Sequence, residues 1–558
     1  MSFLNKVENL LTTIYGEDYT PSYKEELMKI VQAWKQKAWK ESAPLSEKNV
    51  YLIMYGDAIR EEGQPTLKTL NKFIQENAKE EITDVHLLPM FPYTSDDGFS
   101  VVDYREIHPE LGDWSDVERL SHNYRLMFDF VTNHMSKSSE WFQKYLKEDP
   151  EYKHYFIPKD DTFDTSQVVR PRTLPLFHEY EGGKTAWTTF SEDQVDVNFK
   201  HFPALLEMSN ILLEYAYRGG TSIRLDAIGF MWKESGTTCI HLPQTHAIIQ
   251  LWRAILEELK LNTLLITETN VPHQENISYF GDGENEAHMV YQFSLPPLVL
   301  HTLSTYNTKT LTDWAKTIDK VSDKATYFNF LASHDGIGMR PTEGILTEAE
   351  RNVLADKVIE NGGRVSYKSN PDGTQSPYEL NINYMDALVN PEETEEDTKV
   401  QKMLAAHSIL FSFMGVPAIY YHSLLGSEND QEGLETSGIN RRINREKFQY
   451  DELVQQLESS PRRKNVFHGL KKLIRTRQKE SAFSPFADQE ILPINEQVFS
   501  LIRRNNETNE SILFIVNSCN EEVDLDLPYG GYDLISEELV EGDVTLAPYQ
   551  FMWIKQLK

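Results

Sequence analysis

The chain has 558 residues, 40% of them hydrophobic and 25% charged, the balance of a globular protein with room for one large domain plus additions or for two or three domains. Asp and Glu number 86 against 55 Lys and Arg, a formal charge of −31 that repels polynucleotides and anionic membranes and leaves any anionic ligand dependent on a local cluster of cations. Two cysteines, Cys239 and Cys519, imply no disulfide framework and suit a reducing cytoplasm.

The N-terminus, MSFLNKVENLLTTIYGEDY, carries Lys6, Glu8 and Glu17 and does not read as a secretory signal. No stretch approaches about 18 consecutive apolar residues, so no membrane span is expected. Residues 1–48 read as a helical N-terminal addition, because KEELMKIVQAWKQKAWK repeats apolar positions at helical spacing. Short apolar runs then recur: NVYLIMYGD (49–57), DVHLLPMFP (84–92), RLMFDFVTNH (125–134), TSIRLDAIGF (221–230), TLLITETN (263–270), HMVYQFSLP (288–296), YFNFLASHD (327–335) and GVPAIYYHS (415–423). Helix-like segments such as HAIIQLWRAILEELKL (246–261) lie between most of them. Buried strands alternating with helices predict an α/β fold, a closed parallel (β/α)8 TIM barrel over 49–485. An open doubly wound sheet would need a Gly-rich phosphate turn after an early strand, and none is present.

Two gaps are too long for simple connections, 135–200 after the third strand and 336–400 after the seventh; both are expected to rise over the C-terminal face of the barrel. The acidic NPEETEEDTK (390–399) reads as a solvated face or a helix start. From 486 to 558 the texture changes to QVFSLIRR, SILFIVNS and YQFMWIK with turns between, a small antiparallel β domain.

Polar residues gather where the strands end: Asp129, Asn133 and His134 on the third, Arg224 and Asp226 on the fourth, Glu268 on the fifth, His334 and Asp335 on the seventh. Arg224 and Asp226 are two apart on a strand and share a face, inside apolar sequence where a charge is costly unless paired or used. They read either as a structural ion pair or as part of a site. A barrel brings all these ends around one axis, and three carboxylates with two histidines at one mouth favour a catalytic pocket over unrelated strand caps. Paired carboxylates flanking one bond are the device of glycosyl transfer: one, ionised, attacks the sugar carbon, while the other, kept protonated, hands a proton to the departing oxygen. An adjacent Arg224 is expected to keep Asp226 ionised. Such chemistry needs no cofactor, and no Cys/His metal spacing appears.

DFVTNH, SIRLDAIGF, ITETN and ASHDGIG resemble, in order and on the expected strands, the four signature segments of the α-amylase superfamily (glycoside hydrolase family 13). That resemblance implies a nucleophile at Asp226, a general acid/base at Glu268 and a third carboxylate at Asp335, with His134, Arg224 and His334 lining one glucose subsite. FPYTSDDGFSVVDY (91–104), VRPRTLPL (169–176), TTFSEDQVDVN (188–198), GFMWKESGTTCIHL (229–242) and GINRRINREKF (438–448) are similar to the sucrose phosphorylase branch, which passes glucose to phosphate. The likeness implies that Asp96 and Arg445 hold the far hydroxyls of glucose, that Phe99 and Phe190 are aromatic walls rather than barrel core, and that Phe230 also touches substrate. Arg172, or its neighbour Arg170, would meet phosphate, and Tyr378 with Glu379 would shape the acceptor site. Asn133 lies where some amylases place a calcium ligand, but the branch implies no metal.

The sequence has Tyr378-Glu379 and Val169-Arg170-Pro171-Arg172 where sucrose phosphorylases carry Tyr-Gln and Tyr-Arg-Pro-Arg, both at the non-glucose half of the site. Together with HMVYQFSLPPLVLH, ASHDGIG and NPDGTQSPYELN, this makes the chain most similar to the glucosylglycerate phosphorylases. The implied reaction converts 2-O-α-glucosylglycerate and phosphate to α-glucose 1-phosphate and glycerate. Glu379 sits awkwardly beside an acidic acceptor unless it bonds hydroxyls or pairs with a cation. Sucrose, sucrose 6-phosphate and glucosylglycerol remain alternative substrates, an α-glucosidase the nearest hydrolase, and a non-catalytic binding barrel the alternative outside enzymology. The expected partners are small molecules, an α-glucoside and inorganic phosphate, with no nucleic acid and no membrane, and a homodimer is the one assembly considered.

Overall fold

A computed structural model describes residues 1–557. Eight strands close into a barrel: β1 (Tyr51–Met54), β2 (Asp84–Leu87), β3 (Arg125–Phe130), β4 (Gly220–Leu225), β5 (Leu264–Thr267), β6 (Met289–Tyr291), β7 (Thr326–Asn329) and β8 (Val416–Tyr420). Each is parallel to the next, and β8 pairs back on β1. Every apolar run of the expected barrel carries one strand. Side chains directed outward pack under helices such as Phe202–Tyr217 and Pro243–Glu258, and side chains directed inward fill the lumen. The lumen holds Tyr51, whose hydroxyl meets Ser222 Oγ at 2.7 Å, and, nearer the C-terminal mouth, His86, Asp129 and Arg224 from β2, β3 and β4.

The N-terminal residues form two helices, Phe3–Tyr15 and Pro21–Lys35. Val7, Leu10, Leu11 and Ile14 of the first helix enter the same apolar core as the barrel, and the Tyr23 ring stacks on Phe202 at 4.1 Å. The helical spacing runs on to Lys40, but the second helix stops at Lys35. Trp34 O is taken there by Lys37 N (3.1 Å) and by the Trp39 indole N–H (2.9 Å), so the chain turns instead of adding another helical turn.

The first insertion, from 135 to 200, starts with His134–Met135 and returns through Val195–Asp196, which pairs antiparallel with it. The second, from 336, holds a three-stranded antiparallel sheet of Ile337–Gly338, Gln375–Asn381 and Arg364–Ser369, with Gly338 opposite Glu379. It ends sooner than 400, because the acidic stretch starts the barrel helix Glu396–Ser412, with Glu396 and Asp397 in the first turn where the helix dipole favours negative charge. The C-terminal segment forms a six-stranded antiparallel sheet and a two-stranded antiparallel sheet. Alternation along Val498–Asn505 divides its faces: Phe499 and Leu501 join the barrel core, while Val498 and Ile502 face a second core with Leu525 and Leu546.

Candidate active site

The floor of the barrel mouth is a chain of charges. His86 Nε2 lies 2.6 Å from Asp129 Oδ2, Arg224 Nη1 lies 2.5 Å from Asp129 Oδ1 and 2.9 Å from Asp226 Oδ1, and Arg224 Nη2 lies 3.6 Å from Glu268 Oε2. Arg224 Nε donates to Tyr291 Oη at 3.0 Å. All of these groups are buried. Burial opposes the charge on Asp129, but Arg224 and then His86 outweigh it and hold its carboxyl below the usual range, while burial drives His86 down and keeps it neutral.

Asp226 stands one residue past β4 and Glu268 one past β5, neighbouring strands whose ends lie side by side. Between them Ala227 takes a left-handed φ of 47°, costly for a residue with a Cβ, and this turns its backbone N–H onto Glu268 Oε2 at 2.9 Å. One guanidinium serves three carboxylates here. Arg224, expected to keep Asp226 ionised, does pull that carboxyl down, but burial first and then Glu268, Asp129 and Asp335 outweigh it and hold Asp226 above the ordinary carboxyl range. Burial, with Asp335 and Asp129, raises Glu268 as well. The pair titrates as a unit and retains a proton to higher pH than a free carboxyl. Arg224 is closer to Asp226 (2.9 Å) than to Glu268 (3.6 Å), while Glu268 has the Ala227 N–H as a second donor.

Asp335 completes the group from beyond β7. Burial works against its charge, yet Arg441, Arg224, Arg445 and Arg172 in turn pull its carboxyl below the usual range. Arg441 Nη1 lies 2.9 Å from Asp335 Oδ1. His334, stacked on Phe99 at 4.8 Å, and His134, whose Nε2 lies 3.1 Å from Phe99 O, are both driven down by burial and stay neutral.

All the expected site residues except Arg224 and Arg445 line one cleft enclosing about 750 Å³, part of it open to solvent. Asp96, Phe99, His134, Asp226, His334 and Asp335 form its inner part, and Phe190 meets Phe230 edge-on at 5.5 Å. Phe99 is thus both barrel core and cleft wall. Arg224 is buried in the floor, and Arg445, expected on the sugar beside Asp96, has its Nη1 3.5 Å from Asp96 Oδ1 but lies behind the wall. Arg445 Nη1 contacts Asp97 Oδ2 at 2.9 Å, its Nε donates to His334 O at 2.8 Å, and its buried Nη2 has no hydrogen-bond partner. The arginine that reaches the cleft is Arg441, four residues earlier. Its Nε and Nη2 each lie 2.9 Å from a Glu379 carboxylate oxygen, so Glu379 has the cation its place beside an acidic acceptor demands.

Of the two loop arginines, Arg172 lines the cleft, over the rings of Phe190 (5.3 Å) and Tyr378 (5.8 Å), while Arg170 turns back to Leu174 O in its own loop. Gln194, also not singled out by sequence, donates to Asp96 Oδ2 at 3.3 Å and Phe99 O at 3.2 Å. At Asn133 the nearest cation is an ammonium: Lys233 Nζ lies 3.1 Å from Asn133 Oδ1 and 2.7 Å from Asp196 Oδ2. Among the described residues no cluster of three His, Cys, Asp or Glu side chains forms a metal site.

The cleft thus offers a buried acid pair on adjacent strand ends, a third carboxylate gripped by arginine, and a cation at the mouth. A family model for the alpha amylase catalytic domain matches residues 78–344. The chain is 44% identical to a glucosylglycerate phosphorylase of Spirochaeta thermophila, covering 99% of this chain and 96% of that protein. It is 43% identical to a glucosylglycerate phosphorylase of Escherichia coli, covering 99% and 100%. The crystal structure of sucrose 6F-phosphate phosphorylase from Thermoanaerobacter thermosaccharolyticum superimposes with a TM-score of 0.75 at 25% identity, covering 90% of this chain and 99% of that one. The chain belongs to the glucosylglycerate phosphorylase family, a phosphorylase branch built on the alpha-amylase catalytic barrel.

Proposed function

We infer that this enzyme is a retaining glycoside phosphorylase that exchanges 2-O-α-D-glucosylglycerate and phosphate for α-D-glucose 1-phosphate and D-glycerate. The observation that carries this reading is the likeness to glucosylglycerate phosphorylases over nearly the whole chain, with the acid pair and an unpaired arginine meeting in one cleft. Glucose enters the inner part of the cleft, against Asp96, Phe99, His134 and His334. Asp226 attacks the anomeric carbon from one side as Glu268 gives its proton to the glycerate oxygen on the other, and the bond to glycerate breaks as the bond to Asp226 forms. Asp335 holds ring hydroxyls while positive charge develops on the sugar. Glycerate leaves, and a phosphate oxygen attacks the β-glucosyl ester as Glu268 takes back a proton, so two inversions restore the α configuration.

Glycerate carboxylate and phosphate are both anions at the non-glucose side, and Arg172, beside Tyr378, is the cation for them. Asp96 supplies the contact for the far hydroxyls, backed by Arg445, whose Nη1 lies 3.5 Å from Asp96 Oδ1. Residues 1–48 serve as a helical addition, 49–485 as the catalytic barrel with its two insertions, and 486–558 as a C-terminal β domain. A reducing cytoplasm suits the two buried free cysteines, and no helix among the described residues is long and apolar enough to cross a membrane.

The acceptor is tested by offering α-glucose 1-phosphate with glycerate, glycerol, fructose or fructose 6-phosphate and recording phosphate release for each. Glycerate is expected to exceed the others by at least about tenfold, the effect of one charge-assisted contact of about 1.4 kcal/mol or more. A faster reaction with glycerol or either fructose would reassign the substrate.

A further inference from the structure

Two arginines, Arg172 and Arg441, line the cleft, and they are held in opposite ways. Arg172 has no carboxylate within 4.0 Å among the described residues; its hydrogen bond goes to the carbonyl of its own neighbour Pro171, at 3.1 Å. Arg441 is fully engaged. Nε and Nη2 grip Glu379 side-on at 2.9 Å each, and Nη1 reaches Asp335 Oδ1 at 2.9 Å with Asp96 Oδ1 at 3.7 Å. Glu379 is itself buried, on the inserted strand Gln375–Asn381 whose register is fixed by Gly338, three residues after Asp335. At Gly336 a Cβ would collide with Glu379 Cγ, so this position allows the carboxylate to pack against the chain that carries Asp335. The pair is therefore seated, and its charge cancels within the wall.

Resting on the phosphorylase reading above, we propose that Glu379 is a specificity-determining residue that acts through Arg441: it keeps the guanidinium on Asp335 and withholds a second cation from the anion subsite, leaving that subsite to Arg172 alone. The physical reason is turnover. Phosphate and glycerate must replace one another at the same covalent intermediate, and two uncancelled guanidiniums would hold either anion too long. Binding that is equally strong before and at the transition state lowers KM without raising kcat, and product release slows.

The test measures binding of inorganic phosphate to the full-length enzyme by isothermal titration calorimetry, with KM for glycerate and for glycerol in the synthetic direction alongside. Glu379→Gln is expected to tighten phosphate binding at least fivefold and to lower KM for glycerate, with glycerol, a neutral acceptor, unchanged within twofold. A structural role alone would move glycerate and glycerol together. In the double variant Glu379→Gln/Arg441→Gln, which replaces the ion pair by two uncharged amides, phosphate affinity is expected to return to within twofold of the parent. Unchanged or weaker phosphate binding in Glu379→Gln overturns the proposal, as does a tenfold loss in the double variant, which would make Arg441 part of the anion site. The double variant keeps the question answerable if the single one does not fold. Because the calorimetry needs no turnover, an enzyme that fails to phosphorolyse glucosylglycerate contradicts the phosphorylase reading without deciding the role of Glu379.

Discussion

Asp226→Ala is expected to lower kcat by about 10⁴-fold or more, the scale seen when a nucleophile is removed from a unit whose members act together. The fold should survive, because Arg224 keeps Asp129 at 2.5 Å and Glu268 at 3.6 Å after the carboxylate is gone. Thermal melting and steady-state rates, measured on the same preparation, separate the two effects. Azide, small enough to enter the emptied place, should restore turnover and give the β-glucosyl azide, the product of one inversion instead of two. Substantial activity without azide would remove Asp226 from its role.

Glu268→Gln probes the proton. With glucosylglycerate, whose leaving oxygen needs protonation, the rate should fall by about 10²- to 10⁴-fold; with α-glucosyl fluoride, whose leaving group does not, the loss should be far smaller. Equal losses on both substrates would argue against Glu268 as the acid. The pH profile gives a second reading. Burial, with Asp335 nearby, raises the carboxyl of Glu268, so its proton is present below the raised value and lost as pH climbs through it. The parent should therefore lose glucosyl transfer from glucosylglycerate on the alkaline side of that value, and the Glu268→Gln variant should have no such limb.

The barrel was readable from sequence because each strand is buried on both faces and appears as a short apolar run ending in charge, as RLMFDF and IRLD do. Asp226 and Glu268 were readable because one residue past a strand end is a position the barrel itself fixes. The far side of the site was less so. Arg441 sits in NRRINR, inside the short turn Asn440–Asn444, where neither a strand period nor a long helix distinguishes it from Arg442 and Arg445. Only the fold shows Arg445 turned to Asp97 behind the wall and Arg441 to Glu379 in the cleft. The one available signal was Glu379, a buried carboxylate that demanded a cation. Gln194 and Lys233 were missed for a related reason: their partners, Asp96 and Asp196, lie on other segments, and nothing local to either residue announces the contact. The end of the N-terminal helix at Lys35 was set by Trp39 folding back on Trp34 O, a choice that helical periodicity does not encode.

The most direct test incubates the enzyme with 2-O-α-D-glucosylglycerate, with and without inorganic phosphate, and follows the anomeric protons by ¹H NMR from the first turnovers. With phosphate present the sugar should appear as α-glucose 1-phosphate, with little free glucose, and without phosphate the reaction should nearly stop. Free glucose released at the same rate in both tubes, or a β-linked sugar phosphate, would contradict a double displacement that ends on phosphate.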